Sequence, residues 1–98
     1  MNIPSRKKQA EIIKNLIKEN TFQKDEQAFL ISESWLIQWK DAVGFETNNP
    51  TNETISKIDN NSLLSNGHLK KGIIQYSDYE IFPQAIWNQF LEWYGGGP

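Results

Sequence analysis

The feature that most constrains this chain is a stripe of large apolar side chains near its carboxyl terminus. Successive members of the stripe are one, three, one and three residues apart, which places them on one face of an α-helix. A helix with such a face needs other elements to cover it. Pro83 stands just before the stripe, where its fixed φ suits a first helical turn. The members of the stripe are Ile86, Trp87, Phe90, Leu91 and Tyr94.

Two earlier segments have the same periodicity and predict two more amphipathic helices. The first is expected to begin at an N-cap from Ser5, and its apolar face comprises Ala10, Ile13 and Ile17. The second is expected to begin at a cap from Ser32 or Ser34 and to stop at Gly44. Helical spacing favours a core role, rather than stacking on a ligand, for Trp35, Trp39, Trp87 and Tyr94.

Between the helices the sequence predicts short strands. Residues 29–31 form an apolar run too short for a helix, and residues 69–74 and Tyr79–Phe82 have strand patterns. An Asn-Gly turn signal precedes the second of these runs. Residues 46–57 are rich in Asn and Thr and predict a mobile loop. Helices mixed with short antiparallel strands, without a repeated β-α-β crossover, indicate an α+β fold.

The residue inventory excludes several functions. The chain contains no Cys and one His, His68, so a cysteine nucleophile, a thiolate zinc site and a multi-histidine metal site cannot form within it. We expect no cofactor. No segment reaches the roughly 18 apolar residues that span a bilayer, and the amino terminus lacks the apolar run of a secretory signal. The expected compartment is the cytoplasm or the nucleus, with no membrane partner.

Charge is distributed unevenly along the chain. The net charge is −2, yet residues 1–18 contain five basic residues and one acidic residue. A basic first helix could bind nucleic acid, but basic residues interleaved with exposed aromatics are not found elsewhere in the sequence. A nucleic-acid-binding domain is therefore kept as the alternative function, and a solvated helix face is the preferred interpretation of the basic residues.

Five segments, taken in order, resemble the DUSP domain of ubiquitin-specific proteases. The first is FLISESWLIQWK at residues 29–40, an aromatic-aliphatic strand followed by a Trp-x-x-x-Trp helix. IDNNSL at residues 58–63, LKKGI at residues 69–73 and DYEIFP at residues 78–83 follow. IWNQFLEWYGGGP at residues 86–98 is similar to the closing helix and Trp-Tyr-Gly terminus of the family. The five segments are specific together, although none is specific alone.

The resemblance implies a three-helix bundle that supports a small three-stranded antiparallel sheet. The domain would span residues 6–98, with residues 1–5 as an amino-terminal extension. The resemblance also implies a non-catalytic module that recognises a protein partner, either a substrate or a regulator, in the ubiquitin system. The three matching apolar stripes predict that this module folds alone as a monomer. The catalytic domain of the parent cysteine-type deubiquitinating enzyme would lie outside this chain. One departure is that Ile55, Ser56 and Lys57 stand where the family usually has a rigid Pro-Gly-Pro turn.

The expected partner site combines a loop segment with a turn, because the helical stripes are used in the core and recognition usually falls to loops. Ile58 and Tyr79 are expected to be exposed anchors of this site. The polar residues expected around them are Lys57, Asp59, Asn60 and Asp78. The competing interpretation of Asp59 and Asn60 is that their side chains hold a turn through backbone hydrogen bonds.

Overall fold

The computed structural model describes residues 3–19 and 27–97. Its three helices are α1 (Arg6–Glu19), α2 (Glu33–Val43) and α3 (Gln84–Tyr94). Its strands are β1 (Phe29–Ser32), β2 (Ile58–Asp59), β3 (Leu64–Ser65), β4 (His68–Leu69), β5 (Tyr79–Phe82) and β6 (Gly96–Gly97). The α+β class is confirmed. Within the described ranges, no helix is long and apolar enough to cross a membrane.

The first two helices begin at the predicted serine caps. The N–H of Lys8 donates to Oγ of Ser5, and the N–H of Trp35 donates to Oγ of Ser32, each at 3.2 Å. These bonds satisfy backbone donors that the first helical turn leaves without partners. The second helix ends at Gly44, whose φ of 68° is the left-handed conformation that favours glycine.

The centre of the core is built from aromatic rings of α2 and α3. Phe90 on α3 is fully buried, and its ring centroid lies 4.9 Å from that of Trp39 and 5.2 Å from that of Trp35. Both contacts are edge-to-face, a favoured arrangement of aromatic pairs. Trp35 and Trp39 are buried, as predicted. Trp87 and Tyr94 are only half-buried, packed against the outside of the core.

A buried side-chain amide joins all three helices. Gln9 on α1 is only 2% exposed. Its Oε1 accepts hydrogen bonds from Nε1 of Trp39 on α2 at 3.1 Å and from the hydroxyl of Tyr94 on α3 at 2.5 Å. Its Nε2 donates to the carbonyl of Pro4 at 3.0 Å. Buried polar groups need such partners, so this network fixes how the helices meet.

The expected three-stranded antiparallel sheet is not confirmed, because the described strands form three two-stranded ladders. β1 pairs with β5 and β3 with β4 in antiparallel fashion, whereas β2 and β6 are parallel. The physical reason lies at the outer edge of β1. Nδ2 of Asn60 donates to the carbonyl of Leu30, and Oδ1 of Asn60 accepts from the N–H of Ser32, both at 2.8 Å. A side chain thus occupies the place where a third strand would pair.

Residues 46–57 form no regular element, but they are tied to α2. The N–H of Thr51 donates to the carbonyl of Ala42 at 2.8 Å. Further along, Gln38 Oε1 accepts from the N–H of Ser56 at 2.9 Å, and Nε1 of Trp35 donates to the carbonyl of Ser56 at 2.8 Å. These contacts do not support the expected mobility. The contacts of Ser56 also fix the backbone at Ile55, Ser56 and Lys57, the residues that replace the rigid Pro-Gly-Pro turn of the family.

Candidate partner-binding groove

A two-residue turn builds one wall of a surface groove. Asn66 and Gly67 have φ values of 53° and 79°, and two successive left-handed residues are typical of a tight hairpin turn. The turn pairs β3 with β4 and places Leu64 opposite Leu69. The strand expected at residues 69–74 ends at Leu69. Leu69 is left 54% exposed, which is unusual for a large apolar side chain in a strand.

A stacked pair of rings builds the opposite wall. Phe29 is the first residue of β1, and Trp87 lies in the first turns of α3. Their ring centroids are 5.4 Å apart and their planes differ by 9°. Both side chains are half-buried, so the stack joins the strand to the helix and still presents apolar surface.

The groove between these walls is apolar and open to solvent. Its volume is about 420 Å³, which lies in the range of known ligand-binding clefts. The floor and sides come from the start of β1, from the β3–β4 hairpin and from α3. The side chains that define it are Phe29, Leu63, Leu64, His68, Leu69 and Trp87.

Basic residues of the described ranges lie next to the groove in the chain. Among the described residues, none that lines the groove carries a carboxylate. Lys70 and Lys71 follow Leu69 directly, and both are exposed. The N–H of Lys70 donates to the carbonyl of Leu63 at 2.8 Å, so the backbone that carries these lysines is anchored to the groove wall. Two exposed basic residues thus directly follow the wall residue Leu69, and they are called the basic rim of the groove.

The segment expected to bind a partner lies next to the groove but is arranged differently. Ile58 is only 1% exposed, and its N–H donates to the carbonyl of Gly95 at 3.0 Å. The expectation that Ile58 is an exposed anchor is therefore wrong, because β2 turns this side chain into the core. Lys57 and Asp59 are exposed. Oδ1 of Asp59 accepts from the N–H of Asn61 at 2.9 Å, which is the turn-holding role.

Asn60 also has a structural role. Its side chain is 5% exposed and its amide is bonded to the edge of β1, as described above. Asp78 and Tyr79 lie across that strand, since Tyr79 is the register partner of Ser32 in β5. Oδ2 of Asp78 accepts from the N–H of Ile74 at 2.7 Å. β1 thus runs between the two halves of the expected site, and they do not form one continuous surface.

Sequence reasoning missed the groove as a site. Helical spacing predicts a core position for Trp87. The exposure of Leu69 depends on how the β3–β4 hairpin packs against the rest of the domain, which the sequence pattern does not show. One sequence signal could have found it. Leu69 is a lone apolar residue between an Asn-Gly turn and two lysines. Residues next to it in the chain are polar, so they offer little apolar surface to cover its side chain.

A second exposed apolar feature lies at the tip of the next turn. Ile74 is 61% exposed and Tyr76 is 72% exposed. Tyr76 has a φ of 71°, a left-handed conformation that is rare for a bulky residue. Its N–H donates to the carbonyl of Tyr79 at 2.6 Å, which holds the tip in place. The side chains of this tip protrude into solvent, whereas the groove is a concave surface.

A carboxyl pair lies at the junction of α2 and β5, away from the groove. Oε2 of Glu33 is buried, and no group in the described ranges forms a hydrogen bond with it. Burial, followed by the hydrogen bond and the charge of the neighbouring Glu80 carboxyl, raises the pKa of Glu33 to about 7. Lys40 opposes this shift in the pKa of Glu33. Nζ of Lys40 lies 3.8 Å from Oε2 of Glu80.

Contacts within the domain engage part of the basic first helix. Arg6 Nη1 donates to the carbonyl of Thr51 at 2.5 Å. Nζ of Lys14 lies 5.0 Å from the ring centroid of Phe45, a cation–π geometry. Phe45 itself packs against the core. These contacts give the nucleic-acid alternative no support, because they place no exposed aromatic ring beside the basic residues.

The sequence is similar to that of known proteins. The sequence model of the DUSP domain matches residues 25–98. The chain is 36% identical over 83 residues to ubiquitin carboxyl-terminal hydrolase 4 of Rattus norvegicus, a match that covers 76% of this chain and 9% of that protein. It is 32% identical over 84 residues to ubiquitin carboxyl-terminal hydrolase 15 of Homo sapiens, covering 78% of this chain and 9% of that protein.

A plant relative extends the comparison. Ubiquitin carboxyl-terminal hydrolase 10 of Arabidopsis thaliana is 25% identical over 92 residues, covering 82% of this chain and 10% of that protein. The chain thus spans about a tenth of the length of the relatives that it matches. The fold and the groove define a small α+β domain with an open apolar surface. The chain belongs to the DUSP domain family.

Proposed function

We propose that the chain is a non-catalytic protein-interaction module of a deubiquitinating enzyme, and that its partner binds in the groove. The observation that carries the proposal is an apolar, open groove with Leu69 at 54% exposure on its wall. Contiguous exposed apolar surface with a polar rim is typical of protein-binding sites. The half-buried indole of Trp87 adds an aromatic contact of the kind that contributes most to binding energy.

The role in deubiquitination rests on the relatives, whose names describe hydrolases that act at the carboxyl terminus of ubiquitin. This chain has no Cys, so it lacks the nucleophile of a cysteine-type enzyme. We therefore assign cleavage to another part of the parent protein and recognition of a substrate or regulator to this domain. We further propose a monomer that acts in the cytoplasm or the nucleus. The proposed domain includes α1 from residue 6, because α1 packs against α2 and α3.

Four other residues of the expected site are proposed as secondary contacts. Lys57 and Asp59 are exposed and come just before Asn60 in the chain, and the exposed Asp78 and the half-buried Tyr79 lie on the far side of β1. None of these four residues lines the groove. The groove is the preferred primary site because Tyr79 is half-buried and the other three residues are polar, whereas the groove offers an exposed apolar anchor in Leu69.

The test compares two aspartates placed at matched positions. Leu69→Asp puts a charge on the groove wall. Ile17→Asp puts the same charge near the end of the basic α1, where Ile17 is exposed although it belongs to the predicted apolar face. The two side chains have similar exposure, 54% and 46%. Substitutions at exposed positions rarely change stability by more than about 0.5 kcal/mol, so both variants should stay folded.

Proteins captured from a cell lysate by the wild-type chain would be identified, and the most abundant would then be purified and titrated. We expect Leu69→Asp to lose this partner and Ile17→Asp to keep it. Retention by Leu69→Asp with loss by Ile17→Asp would transfer the site to the basic helix and contradict the proposal.

A further inference from the structure

We propose that the occupant of the groove is an extended, acidic peptide segment of a partner, whose backbone adds to the open edge of β1 at Leu30. This inference rests on the proposed function and specifies how the partner is recognised. It depends on the hydrogen-bonding edge of β1, on the apolar groove beside that edge and on the basic rim.

The register of the β1–β5 ladder fixes which backbone groups of β1 face outward. The N–H of Glu33 donates to the carbonyl of Asp78 at 2.9 Å, and bonded pairs in an antiparallel ladder recur at every second residue. Phe29 and Ile31 therefore bond to β5, and Leu30 and Ser32 present their backbone groups to the other side. The two bonds from Asn60 to Leu30 and Ser32 agree with this assignment.

The outer edge of β1 offers two equivalent positions for an amide group. In an extended chain, a carbonyl and the N–H two residues later point to the same side and can bind one peptide unit between them. The first position is the Leu30 carbonyl with the Ser32 N–H, which the Asn60 amide fills. The second is the Ala28 carbonyl with the Leu30 N–H. No residue in the described ranges forms a hydrogen bond with these two groups.

The second position opens onto the groove, because Ala28 and Leu30 both line it. A peptide unit of a ligand would bind there as the Asn60 amide binds at the first position. Addition of a strand to an exposed edge is a common mode of peptide recognition, in which alternate side chains enter pockets. One apolar side chain of the ligand would then lie between Leu69 and Trp87.

The basic rim selects the charge of the ligand. No carboxylate is found among the described residues that line the groove, and the exposed Lys70 and Lys71 follow the wall residue Leu69. Acidic residues that flank the apolar side chain would be attracted to this rim, and basic residues would be repelled. A second copy of the chain is a poor occupant, because a symmetric pair would bring two such basic rims to one interface.

The experiment selects short random peptides displayed on phage against the wild-type chain and titrates the strongest binder, as a synthetic peptide, into the ¹⁵N-labelled chain. We expect apolar residues flanked by Asp or Glu to be enriched. Amide exchange at Leu30 should slow by about tenfold or more in the complex, since its N–H becomes hydrogen-bonded. The double variant Lys70→Glu and Lys71→Glu should bind about tenfold more weakly, and Lys18→Glu on α1 serves as the matched control.

Three outcomes would overturn the inference. They are enrichment of basic peptides, binding that leaves exchange at Leu30 unchanged, and a chain that dimerises in sedimentation experiments and becomes monomeric in Leu69→Asp. If no peptide is enriched while Leu69→Asp still loses the lysate partner, the strand-addition mode is wrong and the proposed function stands. If Leu69→Asp keeps that partner, the proposed function itself fails.

Discussion

The indole N–H of Trp39 donates to Oε1 of Gln9 at 3.1 Å, in a contact that solvent does not reach. The same oxygen accepts the hydroxyl of Tyr94. Gln9→Leu would leave the buried Trp39 donor without this partner and would remove the acceptor of the half-buried Tyr94 hydroxyl. An unpaired buried donor is costly. We expect this variant to lose about 2–4 kcal/mol of unfolding free energy in urea titrations.

The matched control for that prediction is Asn15→Leu, which removes an exposed amide from the same helix. Its effect should stay within about 0.5 kcal/mol. If the two variants are equally stable, the Gln9 network does not hold the helices together.

Two tryptophans should differ in their contribution to stability. Trp39 is fully buried, whereas Trp87 is half-buried at the groove. Trp39→Ala should cost about 3–5 kcal/mol, as deletion of a large core ring does. Trp87→Ala should cost about 1–2 kcal/mol, because part of its surface remains in water in the folded state. Chemical denaturation of both variants checks this, and equal losses would contradict the assignment of Trp87 to a groove wall.

Gly96 should be the least replaceable of the described glycines outside helix ends. Its φ is 101°, and a Cβ would lie 2.3 Å from the carbonyl oxygen of Ile58. Gly96→Ala is expected to break the β2–β6 pairing and to cost more than about 2 kcal/mol. Gly67→Ala is the control, because its φ of 79° is also positive but no atom lies within 4 Å of the added Cβ. Its cost should be about 1 kcal/mol, and thermal unfolding would compare the two.

Glu33 should make stability depend on pH. Its pKa is raised from the ordinary value of 4.5 to about 7, mainly by burial. Between these values the folded chain binds more protons than the unfolded chain, so the free energy of unfolding falls as the pH rises. The stabilising contribution of the protonated carboxyl is complete below 4.5 and is lost as the pH passes 7.

Glu33→Gln should flatten this profile, because the amide is neutral at every pH in the window. Urea titrations at about pH 5 and about pH 8 measure the slope, with the exposed Glu92→Gln as the control. A wild-type profile that is unchanged by Glu33→Gln would mean that this carboxyl does not cause the dependence.

The sequence predicted the parts of the fold that depend on local pattern. The caps at Ser5 and Ser32, the stop at Gly44 and the buried Trp35 and Trp39 all follow from spacing within one helix or at its end. These features need no knowledge of distant partners, which is why they could be predicted.

The remaining features depend on residues that are distant in the chain. Asn60 binds the carbonyl of Leu30, which lies 30 residues earlier in the chain. Its amide occupies the place of the third strand that the resemblance implied. Ile58 is buried because it pairs with Gly96 beyond the last helix. The groove exists because the hairpin carrying Leu69 lies opposite the Phe29–Trp87 stack. Single-sequence periodicity contains no information about such contacts.

The most direct test of the partner-binding groove is site-specific photo-crosslinking in a cell lysate. A photoreactive phenylalanine would replace Leu69 on the groove wall, Ile17 on the basic helix or Tyr76 on the exposed tip, one position at a time. These three side chains are all exposed, so the probe has similar access at each. The account predicts that position 69 forms a discrete adduct with a protein of the ubiquitin system and that unlabelled wild-type chain competes it away. Adducts of that protein from position 17 or 76 alone would contradict the account.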